Sequence, residues 1–151
     1  MVNVYYDKDA DLDVLKEKTI GIVGYGSQGH AHALNLKDNG QKVVVGLYPE
    51  SRSRATAQEA GLEVADVPEV AKMADVLMVL IPDHLQGDVY RQQIAPNLRP
   101  NSALMFAHGF SVHFGAVVPD KDVDVLMVAP KAPGHRMREL FTEGVGVPGL
   151  L

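Results

Sequence analysis

Cysteine is absent from all 151 residues. That excludes disulfides, thiolate nucleophiles and cysteine-based zinc sites. No apolar run approaches the roughly 18–20 residues that a membrane span needs. The opening Met1-Val2-Asn3-Val4-Tyr5-Tyr6-Asp7-Lys8-Asp9 lacks the basic start and apolar stretch of a secretory signal, so a cytoplasmic protein is expected. Basic residues are in deficit, with 14 Lys+Arg against 19 Asp+Glu and a formal net charge of −5. A surface that coats nucleic acid needs the opposite balance, so neither a nucleic-acid nor a membrane partner is expected. The deficit still leaves room for a local basic pocket around one phosphate. There is no HExxH and no pair of acids spaced to share one helix face beside a strand end, so no metal site is expected in this chain.

What is present suits one domain, residues 1–151. Hydrophobic residues make up 46% and charged residues 22%, an ordinary soluble balance. A chain of this length buries roughly 70% of the surface it exposes when unfolded, enough for a true core. It stops at Gly149-Leu150-Leu151, an apolar stretch with no polar tail. Natural ends are usually polar and frayed, so a fragment of a longer protein is expected.

Apolar runs of strand length alternate with segments of helical character. The runs are 19–24 (TIGIVG), 42–47 (KVVVGL), 75–81 (DVLMVLI), 102–107 (SALMFA) and 123–129 (VDVLMVA), with 62–65 a weaker sixth. They are apolar throughout and do not alternate, as a parallel sheet covered on both faces requires. Between them, 28–39 reads as a helix ending at Gly40, and Ser51 or Ser53 as the cap of one that stops at Gly61. Asp66-Val67-Pro68-Glu69 sets a capping carboxylate, an early proline and an acidic third position in order. Asp83 and Gln86 repeat the capping-box spacing. Strand–helix alternation of this kind predicts an α/β fold: a doubly wound, mostly parallel, Rossmann-type sheet with helices on both faces.

The first strand runs into Gly24-Tyr25-Gly26-Ser27-Gln28-Gly29, a GxGxxG, and then into helix. Gly24 permits the tight turn, Gly26 lets a diphosphate approach bare backbone, and Gly29 lets helix and strand pack closely. The helix start offers unpaired N–H groups and partial positive charge to the phosphates. A glycine-rich turn with no ligand is the competing reading, and the strand before and helix after weigh against it.

NAD-selective sites usually place an acid at the end of the second strand to hold the ribose 2′-hydroxyl. Here that strand ends Val45-Gly46-Leu47-Tyr48, and Pro49-Glu50-Ser51-Arg52-Ser53-Arg54 follows. Two hydroxyls and two guanidinium groups suit a dianionic 2′-phosphate. Glu50 pulls the other way. NADP(H) is the expected cofactor.

Ligands of open α/β sheets sit off the carboxyl ends of the strands. The fourth strand ends in Ile81-Pro82-Asp83-His84-Leu85-Gln86, the fifth in Ala107-His108-Gly109-Phe110-Ser111, and the sixth in Ala129-Pro130-Lys131-Ala132-Pro133-Gly134-His135. His108 and Lys131 stand at strand tips. A histidine there can exchange a proton near pH 7, and a lysine can neutralise a carboxylate or a developing alkoxide. His30, His32 and His113 read as structural or surface residues.

GYGSQGHAHALNLKDNG (24–40), the Pro82-Asp83…Gln86-Gly87 turn, AHGF (107–110) and APKAPGH (129–135) together resemble ketol-acid reductoisomerase. That family is also called acetohydroxy acid isomeroreductase. The opening YYDKDADL (5–12) is similar to its short form, and the resemblance runs along all 151 residues. It implies an NADP-dependent oxidoreductase of valine and isoleucine biosynthesis that isomerises and reduces acetohydroxy acids to 2,3-dihydroxy acids. It also implies magnesium held by acids of an all-helical C-terminal domain, which lies beyond this chain. Without that domain the chain alone is expected to be inactive, and the full-length protein to be a homo-oligomer. By the same resemblance, Gly24, Tyr25, Gly26, Ser27, Gln28 and Gly29 meet the pyrophosphate. Tyr48, Ser51, Arg52 and Ser53 border the 2′-phosphate. Asp83, His84, Leu85, Gln86 and Gly134 line the cofactor, and His108 and Lys131 are the active-site pair. One departure is Tyr48, where many members carry arginine; Arg52 and Arg54 are then expected to substitute. The rival readings are a non-catalytic NAD-sensing regulatory module and the cofactor domain of a related hydroxyacid or imine reductase.

Overall fold

The structure, a computed structural model, describes residues 3–151. Met1 and Val2, at the head of the segment read for a leader, lie outside them. Two 3-10 turns, Asp7–Asp9 and Leu12–Leu15, lead in along the surface. Then come β1 (Thr19–Val23), α1 (Ser27–Asp38), β2 (Lys42–Gly46), α2 (Ser53–Glu59), β3 (Glu63–Ala65), α3 (Val67–Met73), β4 (Val76–Val79) and α4 (Asp83–Val89). A π turn, Tyr90–Ile94, and a 3-10 turn, Ala95–Asn97, prolong α4. The remaining elements are β5 (Ala103–Phe106), α5 (Phe110–His113), β6 (Asp124–Met127), β7 (Ala129–Pro130), α6 (Gly134–Thr142) and β8 (Gly149–Leu150).

β1 to β6 form one sheet in the order β3-β2-β1-β4-β5-β6. Every pairing in it is parallel. This is the doubly wound, Rossmann-like α/β fold expected from the alternation of runs. Side chains along a strand leave alternately to the two faces, and both faces are filled. Ile20, Ile22, Val43, Val45 and Met78 join Ala33 of α1 and Ala57 of α2 on one side. Val23, Val44, Leu77, Val79, Leu104 and Phe106 join Val67, Val70 and Ala71 of α3 on the other, with Tyr90 and Ile94. Burial on both faces is why the strands read as unbroken apolar runs.

The amino ends of the central strands are knitted together by Asp75. Its carboxylate accepts from the Thr19 amide at 2.8 Å and from Arg99 Nη2 at 2.8 Å. The Thr19 amide, with Arg99 behind it, holds that carboxyl below the usual aspartate range.

Two expectations need correction. The run 123–129 is not a strand covered on both faces. It breaks at Val128 into β6 and β7, and Val125 and Leu126 are each 43% exposed. β6 is the edge of the sheet. β7 turns away and pairs antiparallel with β8, Ala129 against Leu150. Asp83 is not a helix cap either. Pro82 holds that position, and α4 has no side-chain cap. Asp66 does cap α3, with Glu69 reaching back to complete the box.

Candidate functional site

The chain order reverses between β1 and β4, so the loops that leave their carboxyl ends diverge and leave a crevice. A cleft of about 320 Å³ occupies it. Val23 to Gly26 form its floor, Gly46 to Tyr48 with Ser51 and Ser53 one end, and Leu80 to Pro82 with Leu85 a wall. Val67, Val89 and Gln93 close the back.

The three glycines of the first turn differ in what their missing side chains permit. Gly24 has a φ of +103°, a left-handed conformation that side chains rarely adopt. A Cβ on Gly29 would overlap the Gly24 carbonyl oxygen, so α1 can begin this close to β1 only with glycine there. A Cβ on Gly26 would meet nothing within 4 Å. Gly26 therefore leaves open space above the start of α1, where the first-turn N–H groups have no carbonyl behind them. A bare backbone, unpaired donors and a helix start facing open space fit the diphosphate of a dinucleotide. Tyr25 floors the cleft and stacks edge-on to His30, ring centroids 5.9 Å apart. Burial pushes its hydroxyl pKa up, and the Arg138 charge opposes that shift.

Of the residues expected at the cofactor, Gly24, Tyr25, Gly26, Tyr48, Ser51, Ser53 and Leu85 line this cleft. The structure puts others to a different use. Gln28 turns its amide away and donates to the Ala132 carbonyl at 3.2 Å. Gln86 is buried, and its amide donates to the Ile81 carbonyl at 2.9 Å and to Asp83 Oδ1 at 3.2 Å, bracing the loop after β4. Gly134 packs against the glycine turn, where a Cβ would overlap the Ser27 carbonyl. Arg138 of α6 binds Asp38 Oδ2 at 2.7 Å and Asn35 Oδ1 at 2.9 Å on α1. Through these contacts the loop that carries Lys131 is strapped to the glycine turn. Arg52 and His84 are exposed. Arg54 is not free to grip a phosphate. Its guanidinium pairs with Asp66 at 2.8 Å and donates to the Leu47 carbonyl at 2.9 Å. Neither serine is spent on a strong cap: Arg52 precedes α2, and Ser51 Oγ meets only the Ser53 amide at 3.4 Å.

His108 and Lys131 are exposed and follow β5 and β7. His108 Nδ1 accepts from the Phe110 amide at 3.1 Å, which leaves the proton of the neutral ring on Nε2. Among the described residues no three acids or histidines converge to hold a metal, and no helix is long and apolar enough to cross a membrane. Val67, Val89 and Gln93 were missed by the sequence reading. They reach the cleft from helices, and no local motif marks them.

The fold and this cleft are those of the dinucleotide-binding class of α/β domains. Residues 14–151 match the family model described as "Acetohydroxy acid isomeroreductase, NADPH-binding domain". The chain is 58% identical over 151 residues to "Ketol-acid reductoisomerase (NADP(+))" of Petrotoga mobilis, covering 100% of itself and 46% of that protein. Among solved structures it resembles an "NADH-preferring ketol-acid reductoisomerase from an uncultured archean" at 44% identity and a TM-score of 0.94, covering 98% of itself and 46% of that chain. A 3-hydroxyisobutyrate dehydrogenase of Mycobacterium tuberculosis, at 20% identity and a TM-score of 0.66 over 81% of this chain and 43% of its own, shares the fold. The chain belongs to the ketol-acid reductoisomerase family and corresponds to its NADPH-binding domain. It spans about half the length of the relatives it matches.

Proposed function

We propose that the chain serves as the cofactor half of an enzyme that isomerises and reduces acetohydroxy acids to 2,3-dihydroxy acids in valine and isoleucine biosynthesis. The observation that carries this reading is the open cleft above Gly26 at the β1–β4 switch point, in a chain of this family. The amides of Ser27, Gln28 and Gly29 meet the diphosphate. Tyr48, Ser51, Arg52 and Ser53 border the adenosine 2′-phosphate. Leu85 packs on the cofactor, while Asp83, His84 and Gln86 shape the wall and Gly134 supports the floor.

A bound, reduced nicotinamide supplies the hydride. His108 presents Nε2–H to a substrate oxygen, its ring fixed by the Phe110 amide. Lys131 offsets the charge of a carboxylate or alkoxide. The magnesium ligands and substrate pocket belong to the part of the family's polypeptide that this chain does not span, so the chain alone turns nothing over. The complete protein is a cytoplasmic homo-oligomer.

A second reading, NADH preference, is favoured by one observation: the similar archaeal structure is described as NADH-preferring. Titration calorimetry of this chain decides between them. NADPH is expected to bind at least about tenfold more tightly than NADH, a difference of about 1.4 kcal/mol. Equal or tighter binding of NADH rejects the assignment of the serine–arginine corner.

A further inference from the structure

We propose that the Arg54–Asp66 ion pair sets the charge of the cleft's ribose end and thereby decides between NADPH and NADH. The proposal rests on the reading that this end receives the adenosine 2′-phosphate. Dinucleotide domains that choose NAD usually hold the ribose 2′-hydroxyl with an acid at the end of the second strand. No acid stands at Gly46, Leu47 or Tyr48. Yet β3 lies parallel beside β2, with Ala65 opposite Gly46, and the next residue after β3 is Asp66. The acid is one strand over.

Arg54 lies between that carboxylate and the end of β2. One guanidinium nitrogen donates to Asp66 Oδ1 at 2.8 Å and to the Leu47 carbonyl at 2.9 Å, with the Tyr48 carbonyl at 3.5 Å. The pair is not on the cleft surface, but its chain neighbours are: Ser53 beside Arg54, and Val67 beside Asp66. The side chains are 26% and 43% exposed, so solvent screens them only in part. Asp66 is also the N-cap residue of α3, with its amide held by Glu69 Oε2 at 3.3 Å. Its charge therefore stays at this corner whether or not Arg54 is present.

Without Arg54, an unopposed carboxylate repels a 2′-phosphate dianion and leaves the bare ribose of NADH nearly unaffected. Without the Asp66 charge, the freed guanidinium attracts the phosphate more strongly. A merely structural clamp behaves differently, because loosening it from either side weakens both nucleotides together. Arg54 acts as a positioning and charge-balancing residue and has no part in the chemistry.

Calorimetric dissociation constants for NADPH and NADH, measured on this chain and three variants, give the test. Arg54→Gln is expected to lower the NADPH:NADH preference by about tenfold, since it leaves the Asp66 carboxylate unopposed beside the corner and only partly screened by solvent. Asp66→Asn keeps a capping side chain and is expected to raise the preference by about threefold. The double variant, with the charge balance restored, is expected to return to within about twofold of the parent. If Arg54→Gln does not fold, Asp66→Asn decides alone, and an unmoved or lowered preference there overturns the proposal. A parent that discriminates, with Arg54→Gln leaving its preference unmoved, likewise overturns the ion-pair assignment while sparing the reading of the corner. A parent that binds both nucleotides equally overturns both.

Discussion

Two single-methyl substitutions in the glycine turn separate folding from binding. In Gly29→Ala the new Cβ overlaps the Gly24 carbonyl oxygen and lies 2.9 Å from the carbonyl carbon, where ordinary contact begins at 3.4 Å. The obstruction is backbone, and Gly24 is pinned by its amide to the Gly46 carbonyl at 3.1 Å. The start of α1 must move instead. Overpacking of this kind costs about 1–3 kcal/mol, and a backbone-on-backbone clash belongs at the upper end. Alanine returns about 0.8–1 kcal/mol of helix propensity. The net loss is about 2 kcal/mol, or about 4–8 °C of Tm for a domain of this size. Gly26→Ala meets nothing within 4 Å. Its φ of −80° and ψ of −162° suit any residue. It forfeits only the capping preference of glycine over alanine, on the order of 0.5 kcal/mol and about 1–2 °C. Its methyl group stands in the diphosphate's place, however, and NADPH affinity is expected to fall at least about tenfold. Thermal unfolding by circular dichroism and NADPH fluorescence titration read the two effects. A Gly29→Ala that melts with the parent, or a Gly26→Ala that binds NADPH as the parent does, refutes this division of roles.

The strap between α6 and α1 makes a related prediction. In Gly134→Ala a Cβ overlaps the Ser27 carbonyl and comes within 2.8 Å of the Gln28 nitrogen. A loss of about 1–3 kcal/mol is expected, with NADPH binding weakened because Ser27 and Gln28 shift; an unchanged Tm contradicts it. His32 makes a prediction about pH. Burial holds its pKa below the ordinary value, and its Nε2 has no hydrogen-bond partner. The unfolded chain therefore takes up the proton more readily. Its stability contribution is full above about pH 6.5 and is lost as the pH falls through the lower folded value. Urea unfolding from pH 7.5 down to about pH 5 is expected to show a shallower acid decline in His32→Leu than in the parent; equal slopes refute the assignment.

How much of this was legible in the sequence follows from how local each signal is. The apolar runs marked the sheet strands, and for β1, β2 and β4 burial on both faces left its trace in consecutive residues. Asp66, Pro68 and Glu69 announced α3 for the same reason: a cap is a local event. β6 misled because a run such as Val125-Leu126-Met127 looks alike in the middle of a sheet and at its edge. Arg54 misled because its partner is twelve positions away and reaches it only through the β2–β3 pairing. Gln28 and Gly134 sit in motifs that suggest cofactor contact, yet 104 positions separate Gln28 from the carbonyl its side chain meets. The site's chemistry could be read from the glycine spacing. Its supporting contacts could be read only once α6 was laid across α1.

A dinucleotide is expected to rest its diphosphate on the backbone that opens α1. Backbone amide shifts of isotope-labelled chain, followed as NADPH is added, test it most directly. The largest changes are expected on Gly26, Ser27, Gln28 and Gly29, with smaller ones at Ser51 and Ser53. A folded chain whose amides do not respond to millimolar NADPH, or respond only along β6 and α5, contradicts it.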